Sequence, residues 1–163
     1  MNYTPLELYS YMSNTLFRLF KSGDSMHYTW ITDTVAIGDC QSSYEPFDVV
    51  VNLNYDGNGV AHGEMKKEVT QTQTIYRIGI YDSPSENMGA VLDYMLPELE
   101  AFAGKKILFH CYAGISRSST LAIAYLVTLQ HTSVDDTLAF IVSKRSIVHP
   151  NPGFMATLHG RFH

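Results

Sequence analysis

A short apolar strand, a seven-residue loop and a nearly all-apolar helix follow one another without a break from Lys106 to Gln130. Lys106–His110 (KILFH) has the length and character of a buried strand. Ser118–Gln130 (SSTLAIAYLVTLQ) is apolar almost all round, as a helix covered on most sides must be. Two neighbouring elements that both need burial restrict the chain to a layered architecture. Other apolar runs of strand length occur at 28–31, 34–37, 47–53 (FDVVVNL) and 74–80, the last two bounded by turn residues. Strand, helix, strand, loop, helix in that order predicts an α/β fold, a central mostly parallel sheet of about five strands flanked by helices. The loop from Cys111 to Arg117 would then open at the carboxyl end of a strand, where open sheets of this kind bind ligands.

The loop itself carries the chemistry. Between Cys111 and Arg117 stand Tyr112, Ala113, Gly114, Ile115 and Ser116, none of them charged. A tight loop of this kind, opening a helix, can turn its amide N–H groups onto one point and hold a phosphate without bulk positive charge. A thiol at its floor has an ordinary pKa of about 8.5, and loop amides, a helix N-terminus and a neighbouring guanidinium all favour the thiolate. Cys111 is therefore a candidate nucleophile; the plain alternative is a buried, inert cysteine. Arg117 supplies a planar fork for two phosphate oxygens, and holds them as charge redistributes in transfer. Ser118 can donate to the sulfur, and Ser116 or Ser118 can also cap the helix.

The remaining elements frame that loop. Leu6, Tyr9, Leu16, Phe17 and Phe20 recur at helical spacing over 5–21, with Thr4 and Pro5 at the entry and Gly23-Asp24 at the exit. Residues 54–72 are polar and rich in turn formers, and are expected to be one long connection. Met88, Val91, Leu92, Met95, Leu99 and Phe102 predict a helix over 86–103 in spite of Pro97, with Gly104 as its C-cap. Helical segments at about 133–144 and 152–160 complete the chain. No repeat or Pro/Gly/Ser linker interrupts it, so 1–163 is expected to be a single domain, with 1–24 a helical extension and 28–160 the catalytic core.

Composition limits the partners. At 163 residues and 45% hydrophobic, the chain suits one core, and no uninterrupted apolar stretch of membrane-spanning length exists. Residues 1–20 lack the basic start and apolar run of a secretion signal. Two cysteines, Cys40 and Cys111, show no zinc spacing, so a reduced intracellular protein is expected, in the cytoplasm or also the nucleus. The net charge of −5, with 11 lysines and arginines, argues against stable nucleic-acid binding. No cofactor is expected. His159 and His163 stand at i, i+4 but end the chain with Gly160 between them, which makes a poor metal site.

His110-Cys-x5-Arg117-Ser118, in the form Cys-x-Ala-Gly-x-Ser-Arg-Ser, resembles the signature of the cysteine-dependent protein phosphatases in their dual-specificity branch. "TDTVAIGD" (32–39) is similar to the strand pair that opens these domains, "FDVVVNL" to the strand after it, and "RSIVHPNPGF" (145–154) to their late Pro-Asn-x-Gly-Phe segment. The likeness covers roughly residues 28–160. It implies a protein-tyrosine-phosphatase-like fold and hydrolysis of phosphate monoesters through a phosphocysteine. It also implies that His110 orients the loop and is not a base, and that the hydroxyl of Ser118 helps the sulfur leave. A general acid is expected on an upstream loop; Asp82, 29 positions before Cys111 and next to Ser83-Pro84, fits. The alternatives are that Asp82 caps a turn and that Glu86 is the acid. In some relatives an arginine of the late segment meets a second phosphate. Arg145 lies one residue further from the Pro-Asn pair, and packing or a salt bridge is an equal reading.

The expected activity is thus a protein phosphatase acting on phosphotyrosine and phosphoserine or phosphothreonine, with a phosphorylated protein as partner. Arg117 and the loop amides would supply the charge stabilisation that a metal gives elsewhere. Four rivals remain: an RNA 5′-phosphatase, a phosphoinositide phosphatase, a non-catalytic phosphate-binding module and a sulfur-transfer protein. The acidic balance opposes the first, and the absence of loop lysines the second. The third usually lacks a cysteine, arginine or acid that this chain has, and the arginine spacing fits the fourth poorly. Self-association through the N-terminal helix is a further expectation.

Overall fold

A computed structural model describes residues 25–163. The helix expected at 5–21, and any self-association through it, lie outside the described residues.

Six strands form one sheet: β1 (Tyr28–Trp30), β2 (Val35–Gly38), β3 (Val49–Asn52), β4 (Met65–Val69), β5 (Thr74–Ile78) and β6 (Ile107–His110). Their order across the sheet is β1-β2-β6-β3-β5-β4. The four inner strands are parallel, with Gly38 and Asn52 both opposite His110 and Asn52 opposite Arg77. β1 and β4 close the two edges antiparallel. All residues of β2, β3 and β6 are buried, which is why valine, isoleucine and leucine fill them instead of alternating with polar residues.

The sixth strand, β4, corrects the expectation that 54–72 is only a connection. Its sequence, MKKEV, exposes four of five residues because it pairs on one side only, and the lysines suit an open edge. Tyr55–Gly57 forms a short 3-10 turn in the same stretch. Asn58 then staples the excursion to the sheet, donating from Nδ2 to the carbonyls of Asn52 and Ile78.

Four helices follow: α1 (Met88–Glu100), α2 (Arg117–Gln130), α3 (Val134–Lys144) and α4 (Pro152–Arg161). α1 starts on the Asn87 side chain, which accepts from Ala90 N. It ends at Glu100 rather than at 103; turns at Phe102 and Lys105 lead through Gly104, whose φ is +83°, so that glycine follows the helix without capping it. Pro97 lies on the exposed side of α1, away from the stripe of Met88, Val91, Leu92, Met95 and Leu99. The main core joins buried residues of all four helices to Val35, Ile37, Val49, Val51, Tyr76, Ile78, Ile107 and Phe109 on one sheet face. α2 runs through its middle, buried from Arg117 to Val127. The opposite face holds a smaller cluster, Ala36, Val50, Ile75 and Leu108 under Tyr28, Phe47, Trp30 and Tyr44. The carboxyl ends of β2, β6, β3 and β5 thus meet along one edge of the sheet, with α2 starting there.

Candidate active site

Where β6 ends, its neighbours hold the exit. Leu53 N donates to His110 O at 2.8 Å, and Cys40 N to Tyr112 O at 3.0 Å. The chain then turns through Cys111–Ser116 into α2. Gly114 makes the turn at φ +69°, with its α-carbon packed so closely that an added Cβ would lie 2.6 Å from Gly38 O. No other residue meets both demands.

Behind the loop lies Arg145, fully buried. Its Nε donates to Gly114 O at 3.1 Å, Nη2 to Ala113 O at 3.2 Å and Nη1 to Thr29 Oγ1 at 3.0 Å. Of the two sequence readings for this arginine, the structure places it in packing. With carbonyls drawn backwards, the opposite faces of those peptides are free to present N–H groups forwards. The loop's exit is tied as well: Ser119 and Thr120 return their hydroxyls to the carbonyls of Ile115 and Ser116.

Cys111 is 3% exposed, at the floor. Its Sγ lies 3.2 Å from Ser118 Oγ. Burial alone pushes the Cys111 thiol up; the Arg117 guanidinium, the hydroxyl and amide of Ser118 and the amide of Gly114 outweigh it, and the thiol sits below its ordinary value. Arg117, also buried, anchors through Nη1 on Ile80 O at 3.0 Å, while its Nε has no hydrogen-bond partner among the described residues. A buried guanidinium N–H without a partner next to a stabilised thiol is suited to a ligand oxygen.

His110 faces the other way. Its Nε2 is 2.6 Å from Tyr44 Oη and its Nδ1 3.5 Å from Cys111 O. Burial pulls the imidazole down to about 4, so the ring is neutral at physiological pH. With Nδ1 protonated and turned to the Cys111 carbonyl, Nε2 accepts from the Tyr44 hydroxyl, and that oxygen accepts from Asn52 Nδ2 at 3.3 Å. A chain of three side chains thus orients the peptide that carries Cys111. Tyr44 and Asn52 were not indicated by the sequence, because Tyr44 lies 66 positions from His110.

Asp82 is exposed, two residues beyond the carbonyl that anchors Arg117. Asn151 Nδ2 donates to its Oδ1 at 2.9 Å. The same Asn151 caps α4, accepting from Phe154 N at 2.9 Å, and its backbone N donates to Ser116 Oγ at 2.9 Å. One asparagine therefore links the Cys111–Ser116 loop, the Asp82 loop and the last helix. In the sequence this residue stood out only as part of the late Pro-Asn-x-Gly-Phe segment. Glu86, the alternative acid, is engaged instead with His62, its Oε1 lying 2.8 Å from Nε2. His159 likewise pairs with Asp135 at 2.8 Å, and His163 Nδ1 is 3.0 Å from Gly160 O.

A buried cysteine in a carbonyl-backed loop, answered by an arginine at the start of a central helix, is an arrangement suited to holding a phosphate, and comparison with known proteins places the whole domain. Residues 30–161 match the family "Dual specificity phosphatase, catalytic domain". The chain is 32% identical over 139 residues to the 123R protein of Invertebrate iridescent virus 6, covering 82% of this chain and 90% of that one. It is 36% identical over 92 residues to the tyrosine-protein phosphatase vhp-1 of Caenorhabditis elegans, covering 55% of this chain but 14% of that longer protein. The solved structure of human DUSP28 shares the fold, with a TM-score of 0.70 at 21% identity over 87% of this chain and 97% of that one. The chain belongs to the dual-specificity phosphatase catalytic domain family and is a protein phosphatase. No helix among the described residues is long and apolar enough to cross a membrane.

Proposed function

We propose that the chain hydrolyses phosphotyrosine and phosphoserine or phosphothreonine in proteins through a covalent phosphocysteine. The Cys111 thiolate attacks phosphorus in line with the leaving oxygen. The amides of Tyr112, Ala113, Gly114, Ile115 and Ser116, with the Arg117 fork, take the phosphoryl oxygens. Asp82 gives its proton to the departing oxygen as the P–O bond breaks and the S–P bond forms. The resulting carboxylate then takes a proton from water, which attacks phosphorus; the S–P bond breaks, with Ser118 donating to the leaving sulfur, and inorganic phosphate departs.

The observation that carries this reading is the Cys111 sulfur, whose thiol is held below its ordinary value despite burial, 3.2 Å from the Ser118 hydroxyl. The reduced thiols it requires fit a cytoplasmic or nuclear setting, and no disulfide joins Cys40 to Cys111. Cys111→Ser tests it. The variant should lose turnover of a phosphotyrosine peptide by more than about a thousandfold while still binding the peptide. A variant that turned over at the parental rate would place the nucleophile elsewhere and overturn the mechanism.

A further inference from the structure

The site continues sideways, along the edge of the sheet, into a ledge that the hydrolytic steps do not use. Ile80 anchors Arg117, and the next residue, Tyr81, is 45% exposed. Its ring meets Tyr55 edge-on, with centroids 4.7 Å apart at 81°, and lies against His62 at 5.1 Å and 32°. Tyr55 arrives from the other side. It follows two residues after Leu53, whose N–H is bonded to His110 O at the mouth of the phosphate loop. Tyr55 and Tyr81 are therefore fixed to the same strand ends as Cys111 and Asp82.

Two carboxylates lie near the rings. Tyr55 is the main cause, and Asp56 and Glu86 further causes, of a Tyr81 hydroxyl held above its ordinary value. Asp56 is exposed and takes part in no ion pair among the described residues. Glu86 is shared with His62 across the ledge. Negative charge beside exposed aromatic faces is the complement of an arginine or lysine side chain.

The arginines point the same way. A second phosphate on a substrate would be held best by a second planar fork, and each described arginine is committed. Arg117 belongs to the phosphate loop and Arg145 is bonded to the carbonyls behind it. Arg77 is paired with Glu68 and Arg161 with Asp93.

We propose that Tyr55, Tyr81, Asp56 and Glu86 form a recognition ledge for a cationic side chain close to the phosphorylated residue. The preferred substrate is then a singly phosphorylated segment with an adjacent arginine or lysine, and not a doubly phosphorylated or acidic one. This rests on the phosphatase reading above, and deepens it.

The test is a comparison of kcat/KM on phosphotyrosine peptides that differ only in the flanking residues on both sides: arginine, alanine, glutamate or phosphothreonine. p-Nitrophenyl phosphate, which has no flank, serves as the reference. The wild type should favour the arginine peptide over the glutamate peptide by about tenfold. Asp56→Asn and, separately, Tyr81→Leu should shrink that ratio to about twofold or less, with Asp56→Asn unchanged on p-nitrophenyl phosphate. Equal rates on arginine and glutamate peptides, a preference for phosphothreonine, or a ratio untouched by both variants would overturn the ledge. Failure to hydrolyse any peptide or p-nitrophenyl phosphate would instead overturn the phosphatase reading beneath it.

Discussion

Acidification should unfold this domain through one histidine. His110 is buried and neutral, accepting from Tyr44 Oη at 2.6 Å, and its imidazole is pulled down to about 4. In the unfolded chain the same ring takes up a proton near 6.5. Between those values the unfolded state binds more protons than the folded one, so stability falls as pH drops from about 6.5 to about 4 and this contribution then levels off. The gap corresponds to about 3 kcal/mol, a large part of the roughly 5–15 kcal/mol that holds a domain together. The molecular reason is burial: a protonated ring would hold its charge away from water, between the Tyr44 hydroxyl and the Cys111 carbonyl. Urea unfolding across pH 4 to 7, wild type against His110→Gln, isolates the effect, since the carboxylates titrate in both proteins. The variant should be less stable at pH 7 yet lose less on acidification, so that the two curves converge by about 3 kcal/mol towards pH 4. Curves that stay parallel would refute the argument.

Three further outcomes follow from the geometry. Gly114→Ala puts a side chain at φ +69° and 2.6 Å from Gly38 O; it should lower the melting temperature and abolish competitive inhibition by phosphate. Arg145→Met removes the donors to Ala113 O and Gly114 O; it should cost about 3 kcal/mol in chemical unfolding and weaken vanadate inhibition about tenfold or more. Asn151→Asp keeps an N-cap acceptor for Phe154 but turns a carboxylate towards Asp82 in place of an amide donor. Its kcat should fall about tenfold while its melting temperature changes little, as read by steady-state kinetics beside calorimetry.

What the sequence made legible divides along physical lines. The loop from Cys111 to Arg117 and the helix after it were readable because covalent spacing alone puts the sulfur and the guanidinium on one turn. β3 and β6 were readable because strands buried on both faces are written as unbroken apolar runs. β4 was not, since an edge strand with MKKEV outward carries neither such a run nor an apolar/polar alternation. The supports of the site were also hidden. Arg145 reaches Gly114 across 31 positions and Asn151 reaches Asp82 across 69. Such contacts exist only once the sheet order is set, and no local pattern encodes them. Pro97 and Gly104 show the opposite limit, for a strong apolar stripe carried α1 through its proline, and the helix stopped before the glycine expected to end it.

The arginine sealed beneath the Cys111–Arg117 loop has a consequence for the energetics of capture. Because its hydrogen bonds set the tilt of the peptides before any substrate arrives, little conformational freedom remains for an incoming anion to quench. Small tetrahedral oxyanions should therefore dock as onto a finished mould, with an association rate governed by diffusion and charge and not by loop rearrangement.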